Sequence, residues 1–382
     1  ASVTWRSIKE GTSDNWDYAA MVNVPIIADK LAFRVVGSYV DRDGFVDQID
    51  TITGAMTENI NTEKTTSWRA MLGYHDGGMF NADLIYKYQE IKLGGSNSVM
   101  PATAAWAGVG DKYTQFSAGE TNSSSETKEI ILDMSWDFDS MMLSSLTSYS
   151  DVSDVSRITI PGTESSPNLG DYDGWSQEFR LASVGGEKFD WIIGGYYREA
   201  DRVADIETIL VFDTTQKAFS LFGQLYWYMN DAFTATLGLR YEKLKADQSA
   251  VIFGAFEEFA NDSWSHVSPK FTLDWKVRDD LMFYGTIAEG YRAGGLNVDF
   301  GPLLGIPPEF LNPIQPYQDA YDPDSVWNYE LGMKSGWLDG RLTWNLAVFY
   351  IDWTDYQSEG DLFLGGNGIG YTINSGNATS YG

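Results

Sequence analysis

Apolar and polar side chains alternate with a period of two along most of the chain, the spacing of a β-strand whose two faces differ. Between 128 and 138, Ile130, Leu132, Met134, Trp136 and Phe138 share one face, and Glu129, Asp133, Ser135 and Asp137 share the other. Between 80 and 89, Phe80, Ala82, Leu84, Tyr86 and Tyr88 oppose Asn81, Asp83, Lys87 and Gln89. Between 233 and 242, Phe233, Ala235, Leu237, Leu239 and Tyr241 oppose Thr234, Thr236, Gly238, Arg240 and Glu242. Such runs are about ten residues long, which suits a tilted bilayer crossing, whereas strands of soluble sheets average roughly five or six. A soluble sandwich also alternates, so the connections have to decide between the two.

Those connections alternate between short and long. Tight links fall at Pro25 to Lys30, His75 to Met79, Asp137 to Ser140, Gly185 to Lys188, Asn230 to Ala232, Val277 to Asp280 and Leu338 to Gly340. Most contain Asp, Gly or Asn, as tight turns require. Long links, rich in Gly, Ser, Asp, Asn and Pro, are expected at about 42–63, 91–126, 153–173, 201–215, 247–263, 293–323 and 354–366. This asymmetry predicts an all-β fold: a transmembrane, antiparallel, up-and-down β-barrel with short periplasmic turns and long extracellular loops. Tyr and Trp gather near the strand ends, at Trp136, Tyr149, Trp175, Trp191, Tyr226 to Tyr228, Trp275, Tyr284, Trp327, Trp344 and Trp353, as girdles at the two membrane interfaces would require. The pattern yields about sixteen strands. Residues Asn374 to Gly382 read as a turn into a further strand, so the barrel is expected to be incomplete, and open edges in lipid leave backbone groups unsatisfied at several kcal/mol each.

Composition removes several classes of chemistry. Over 382 residues there is no cysteine, so disulfides, thiolate metal sites and Cys nucleophiles are excluded, and the only histidines are His75 and His266. No nucleophile, base and orienting group can be assembled from the motifs present, so an enzyme is not expected, nor a metal site or cofactor. The formal charge of -28 repels a phosphate backbone, which excludes nucleic acid as a partner. Hydrophobic residues make up 43% of the chain with mean hydropathy of -0.26, yet no run of 18 apolar residues exists to form a helical span. The chain begins in strand pattern at Ala1 to Arg6 without the charged and apolar regions of a secretory signal, so processing or truncation is expected to have removed the true start.

Three stretches resemble TonB-dependent receptors. The first is Ala288-Glu289-Gly290-Tyr291-Arg292-Ala293-Gly294-Gly295-Leu296-Asn297, which looks like a strand-to-loop segment in the middle of that family's barrel. The second and most specific runs from Tyr321-Asp322-Pro323-Asp324 through Glu330-Leu331-Gly332-Met333-Lys334, then Asp339-Gly340-Arg341-Leu342 and Phe349-Tyr350-Ile351-Asp352-Trp353 to Gln357. The third, Asn23-Val24-Pro25-Ile26 through Lys30-Leu31-Ala32-Phe33-Arg34 to Asp43-Gly44-Phe45, is similar to the family's first periplasmic turn and third strand. The resemblance covers nearly all of residues 1–382 and implies a partial barrel, about 16 of 22 strands. It further implies an N-terminal plug domain and a TonB box before Ala1 and further strands after Gly382.

On this reading Arg34, Arg69, Arg180, Arg240 and Glu330 lie on the polar face, where they are either solvated or paired with lumen neighbours, or in contact with the plug through charge-assisted bonds. Residues 293–323, containing Asn297, Phe300, Phe310 and Tyr317 with several prolines, form with Arg292 just before them the candidate ligand-contacting loop, since aromatics on a stiffened loop bury ligand area at low entropic cost. Asp41, Asp43 and Asp47 lack the spacing of a calcium loop and read as a solvated acidic connection, and Gly365-Gly366-Asn367-Gly368 reads as a turn.

The resemblance implies a Gram-negative outer-membrane receptor that takes up a scarce nutrient with energy from a TonB complex, its commonest cargo a ferric siderophore. Its expected partners are outer-membrane lipid, its own plug, the TonB complex and an extracellular ligand. Carbohydrate, cobalamin or another nutrient is the alternative cargo; a passive porin-like channel and a soluble β-rich binding protein are the alternative classes.

Overall fold

The computed structural model describes residues 1–7, 14–50, 52–95, 113–117, 122–158, 166–206, 210–252, 254, 256–297, 320–364 and 367–382. Among these the regular structure is all strand. Sixteen strands, from Ser2–Ser7 to Ala378–Tyr381, form one antiparallel sheet in which spatial order follows chain order. The seven tight links fall where the alternation places them, each joining hydrogen-bonded neighbours. Local chemistry explains them: Asp29 and Asp139 adopt positive φ (58° and 62°), a conformation Asp tolerates better than most residues.

The register shows which face meets which surroundings. One row crosses seven neighbouring strands as Trp191, Leu225, Leu237, Phe271, Ile287, Tyr329 and Tyr350. The next row, one residue along each strand, is Ile192, Gln224, Gly238, Lys270, Ala288, Asn328 and Ile351, on the opposite face. The apolar row is the exposed one: Leu239 is 55% and Leu331 65% exposed on that face, while Ser220 and Thr236 on the other are buried. A large apolar side chain left in water forgoes roughly 1.5–3 kcal/mol, so a surface covered with them is suited to hydrocarbon. We call the apolar face outward and the polar face inward.

Strand length departs from the sequence expectation. On Phe233–Ile252 the outward apolar stretch covers only Phe233 to Tyr241, after which Lys243, Lys245 and Asp247 take the outward positions. On Leu210–Asn230 it ends at Phe219, followed by Lys217, Thr215 and Asp213. The apolar stretch therefore matches the nine to eleven residues of a tilted crossing, but the strands themselves run to 20, 21 and 23 residues at Phe233–Ile252, Leu210–Asn230 and Phe256–Arg278. Most of the expected loops at 153–173, 201–215 and 247–263 are instead paired strand, forming hairpins that extend beyond the apolar band. The reason is physical: past the band both faces meet water, so apolar alternation ceases while backbone pairing continues.

The aromatic girdle also needs correction. Tyr149, Trp175, Trp227, Trp275 and Trp344 do sit on the outward face, but Tyr226, Tyr228, Tyr284 and Trp353 point inward. Closeness to a strand end does not determine facing; parity along the strand does. Outside the main sheet, Asp47–Asp50, Met56–Thr57 and Thr114–Ser117 make a small sheet that ties the connection after Arg42 to the one after Leu93.

Candidate functional site

The inward face carries a platform built from two connections. Arg292, the last residue of Leu281–Arg292, lies directly across from Asp324, the first of Asp324–Trp337. Its guanidinium grips the carboxylate through both Nε and an Nη, the Nε bond measuring 3.1 Å. The same carboxylate accepts the Gln357 backbone N–H at 3.1 Å, and Arg292 donates to the Gln357 carbonyl at 3.2 Å. The Gln357 side chain donates to the carbonyls of Ala293 and Asp322, at 3.0 and 2.9 Å. One residue thus fastens the beginning and the end of the 293–323 connection to the start of the hairpin Gln357–Leu364/Asn367–Asn374.

Two asparagines fix the far strand of that hairpin. Asn297 exchanges two bonds with the Thr372 backbone, and Asn374 exchanges two with Asp322 while also donating to the Asp355 carbonyl. Gly295–Leu296 pairs with Ala320–Tyr321. The glycines of Ala293-Gly294-Gly295 are required by close approach: a Cβ on Gly294 would stand 2.2 Å from the Tyr321 carbonyl oxygen and 2.6 Å from Trp264 Nε1.

Asp324 is buried yet held below the ordinary carboxylate range, since the bonds from Arg292 and the Gln357 N–H outweigh the burial that opposes its ionisation. It lies beyond the apolar band, whose outward residues on this strand begin at Trp327. Burial raises the Tyr321 phenol above its ordinary value.

Between this platform and the tall hairpins lies a cavity of about 670 Å³. The wall contributes Tyr172, Arg202, Phe212, Gln216 and Gln248; the platform contributes Asn297, Tyr321, Tyr371 and Thr372. Arg202 is exposed and makes no ion pair among the described residues, and Asp154 is the carboxylate lining the same space. Aromatic surface, amides and a free guanidinium make a site of moderate size for an organic ligand with anionic groups.

Of the sequence candidates for ligand contact, Asn297 lines the cavity, and Arg292 supports the platform beneath it. Phe300, Phe310 and Tyr317 lie outside the described residues. Arg202, Phe212 and Tyr172 were hidden in stretches read as loops. One signal for the first two is legible in hindsight: residues 201–215 contain neither Gly nor Pro, as a paired strand would prefer.

Arg34, Arg69, Arg180, Arg240 and Glu330 all occupy inward positions. Three of them are partnered within the wall. Arg180 binds Glu178, Arg240 binds Glu242 at 2.7 Å and Ser220 at 2.8 Å, and Glu330 accepts the Tyr284 hydroxyl at 2.6 Å. Arg34 reaches only the Met21 sulfur at 3.3 Å, its Nε buried without a partner, and Arg69 makes no ion pair among the described residues.

Elsewhere, Asp47 accepts the Asn59 N–H at 3.0 Å within its own connection, and the Asp43 backbone N–H donates to Asn15 at 2.7 Å. Asn367 and Gly368 belong to the hairpin strand rather than a turn, while Gly365 and Gly366 lie outside the described residues. His75 ends a strand and meets Asp83 at 3.0 Å; His266 sits within Phe256–Arg278, stacked on Tyr291 and 3.0 Å from Glu289. Among the described residues no group of three or more His, Cys, Asp or Glu is arranged to hold a metal ion.

A family model described as TonB dependent receptor-like, beta-barrel, matches residues 67–382. The pesticin receptor of Yersinia enterocolitica is 24% identical over 218 residues, covering 54% of this chain and 30% of that protein. The ferripyoverdine receptor of Pseudomonas aeruginosa is 28% identical over 136 residues, 29% of this chain and 17% of that protein. Among solved structures, the ferric yersiniabactin uptake receptor of Yersinia pestis superposes with a TM-score of 0.71 at 18% identity, covering 96% of this chain and 55% of its own. A siderophore receptor of Acinetobacter baumannii gives a TM-score of 0.70 at 14% identity, with 97% and 58% covered. The chain thus spans well under two thirds of each of these proteins.

Proposed function

The chain belongs to the TonB-dependent receptor-like β-barrel family, and from that premise we propose that it is part of the wall of a Gram-negative outer-membrane receptor that takes up a ferric siderophore. The whole protein would draw its plug, its closing strands and its TonB contact from parts outside this chain. The observation that carries the reading is the cavity of about 670 Å³ on the inward face, above the apolar band and lined by Arg202 among aromatic and amide side chains. Ferric siderophore complexes are organic and commonly anionic, and such a lining offers them ring surface and a free cation. Relatives whose names include pesticin, pyoverdine and yersiniabactin support the same reading. This is transport rather than catalysis: no step requires a nucleophile or base.

Within the wall, we propose Arg34 and Arg69 as the contacts to the plug, because neither makes an ion pair among the described residues. The test uses the full-length protein in a receptor-deleted strain, following uptake of radiolabelled iron supplied on a panel of siderophores, with and without TonB. Uptake of at least one complex that requires TonB and is lost in Arg202→Glu supports the proposal. TonB-independent entry of small solutes would instead favour the porin-like channel, and growth on cobalamin or a carbohydrate alone would assign another cargo.

A further inference from the structure

The outward face holds a cluster of cations that the uptake role does not use. Lys217 and Lys245 stand directly opposite one another on neighbouring strands, and Lys243 is one outward position below Lys245, opposite Phe219. Like charges set directly opposite on one sheet face destabilise it, and this chain has only 26 basic residues against 54 acidic. Carboxylates answer the group in part: Glu199 meets Lys217 and Asp247 meets Lys245, each at 2.7 Å, and Asp201 and Asp213 lie on the same face one and two rows further from the apolar band. Lys243 is exposed and has no hydrogen bond or ion pair among the described residues. On its other side the exposed Ser265 and Ser263 stand opposite Lys243 and Lys245, adding hydroxyl donors.

The height of the cluster gives it meaning. Immediately below, the apolar band begins with Phe219 and Tyr241. Further down, the band contains an open groove of about 490 Å³, lined by Ile193, Leu221, Leu239 and Tyr241 around Gly223. A Cβ on Gly223 would meet the Ile192 carbonyl at 3.4 Å and the Ile193 side chain at 3.6 Å, both ordinary contacts, so the wall does not demand glycine there. Its lack of a side chain is what leaves the groove open.

We propose that this outward patch binds a phosphorylated lipid of the surrounding leaflet, its phosphate against Lys217, Lys243 and Lys245 and an acyl chain in the groove over Gly223. Lys243, at the edge of the apolar band and without an ion pair among the described residues, selects an anionic headgroup, and the continuity of cations with groove selects a lipid over free phosphate. The proposal rests on the membrane placement given above.

The test reconstitutes the full-length protein in phosphatidylcholine nanodiscs containing a small fraction of diphosphoryl lipid A, the same lipid after dephosphorylation, or inorganic phosphate in the buffer. Retained lipid is counted by native mass spectrometry, and the melting temperature is recorded. The phosphorylated lipid should be retained and raise the melting temperature. The combined variant Lys217→Gln, Lys243→Gln, Lys245→Gln should bind it at least about tenfold more weakly, and Gly223→Leu should lose retention while remaining folded. Equal retention of the dephosphorylated lipid, or no difference in the triple variant, overturns the proposal, and a response to inorganic phosphate alone overturns the lipid as occupant. Failure of the wild-type protein to enter nanodiscs would refute the membrane placement itself, whereas entry without selective retention refutes only the lipid site.

Discussion

Asn297 treats Thr372 as a neighbouring strand would: its side-chain amide donates to the Thr372 carbonyl at 2.8 Å and accepts the Thr372 N–H at 2.9 Å. A single carboxamide thereby satisfies both backbone groups of a residue 75 positions away. It docks the hairpin Gln357–Leu364/Asn367–Asn374 under the cavity.

Asn297→Ala removes both bonds and leaves two backbone groups of Thr372 without their partners. The expected loss is about 1–3 kcal/mol of docking stability, with faster hydrogen exchange at residues 371–374 and little change in the main sheet. Unchanged exchange in that segment would show that the hairpin is held by other contacts.

Arg292→Gln leaves the Asp324 carboxylate buried with the Gln357 N–H still bonded to it. Because the arginine side chain is half exposed, the loss should be on the order of 2–3 kcal/mol, below the figure for a fully buried pair. Limited proteolysis should cut the connections after Arg292 and Thr354 first. Arg292→Lys should recover only part of the loss, since an ammonium cannot reproduce the two-pronged contact.

Acid should act on the same node. The folded-state pKa of Asp324 is depressed below its ordinary value of 3.8, so its contribution is present at pH values above that point and disappears as pH falls through the lower, folded value. Hydrogen exchange of the hairpin measured from neutral pH downward should therefore stay protected until below about pH 4. Asp324→Asn should flatten this transition; an identical profile in that variant would assign the acid sensitivity to another group.

Facing can be tested by a pair of substitutions. Leu237→Arg places a charge on the exposed apolar row and should cost about 2–4 kcal/mol near the bilayer midplane, measured by denaturant titration of the full-length protein in lipid vesicles. Gln224→Arg, inward on the neighbouring strand, should cost far less. Thr236 is a poorer control than its sequence suggests because it is buried, leaving little room for a long side chain.

The turn at Leu338-Asp339-Gly340 has φ values of 56°, 57° and 81°. Leucine is ill suited to the left-handed region, whose penalty for an ordinary residue is roughly 1–2 kcal/mol. Leu338→Asn should therefore stabilise the hairpin by about 0.5–1 kcal/mol, seen as a higher denaturant midpoint.

The outward face was legible because its solvent demands a side chain of one kind at every second position, as at Leu237, Leu239 and Tyr241. The tight turns were legible through their Asp and Gly. The height of the hairpins was not, because positions such as Asp213 and Thr214 are polar on both faces once hydrocarbon ends. The site was only half readable for a related reason. Arg292, Asn297 and Gln357 fall in recognisable stretches, but Thr372 and Arg202 join them only through tertiary placement across long separations, which no local periodicity encodes.

Along Phe233–Ile252 the outward positions pass from Leu239 and Tyr241 to Lys243 and Lys245 without any break in pairing. One continuous ribbon is therefore subject to two substitution rules, intolerant of charge in its first part and indifferent to it in its second. A scan placing arginine at each odd-numbered position of this strand would work as a depth gauge, locating the bilayer surface from genetics alone to within about one residue pair, roughly 7 Å of chain.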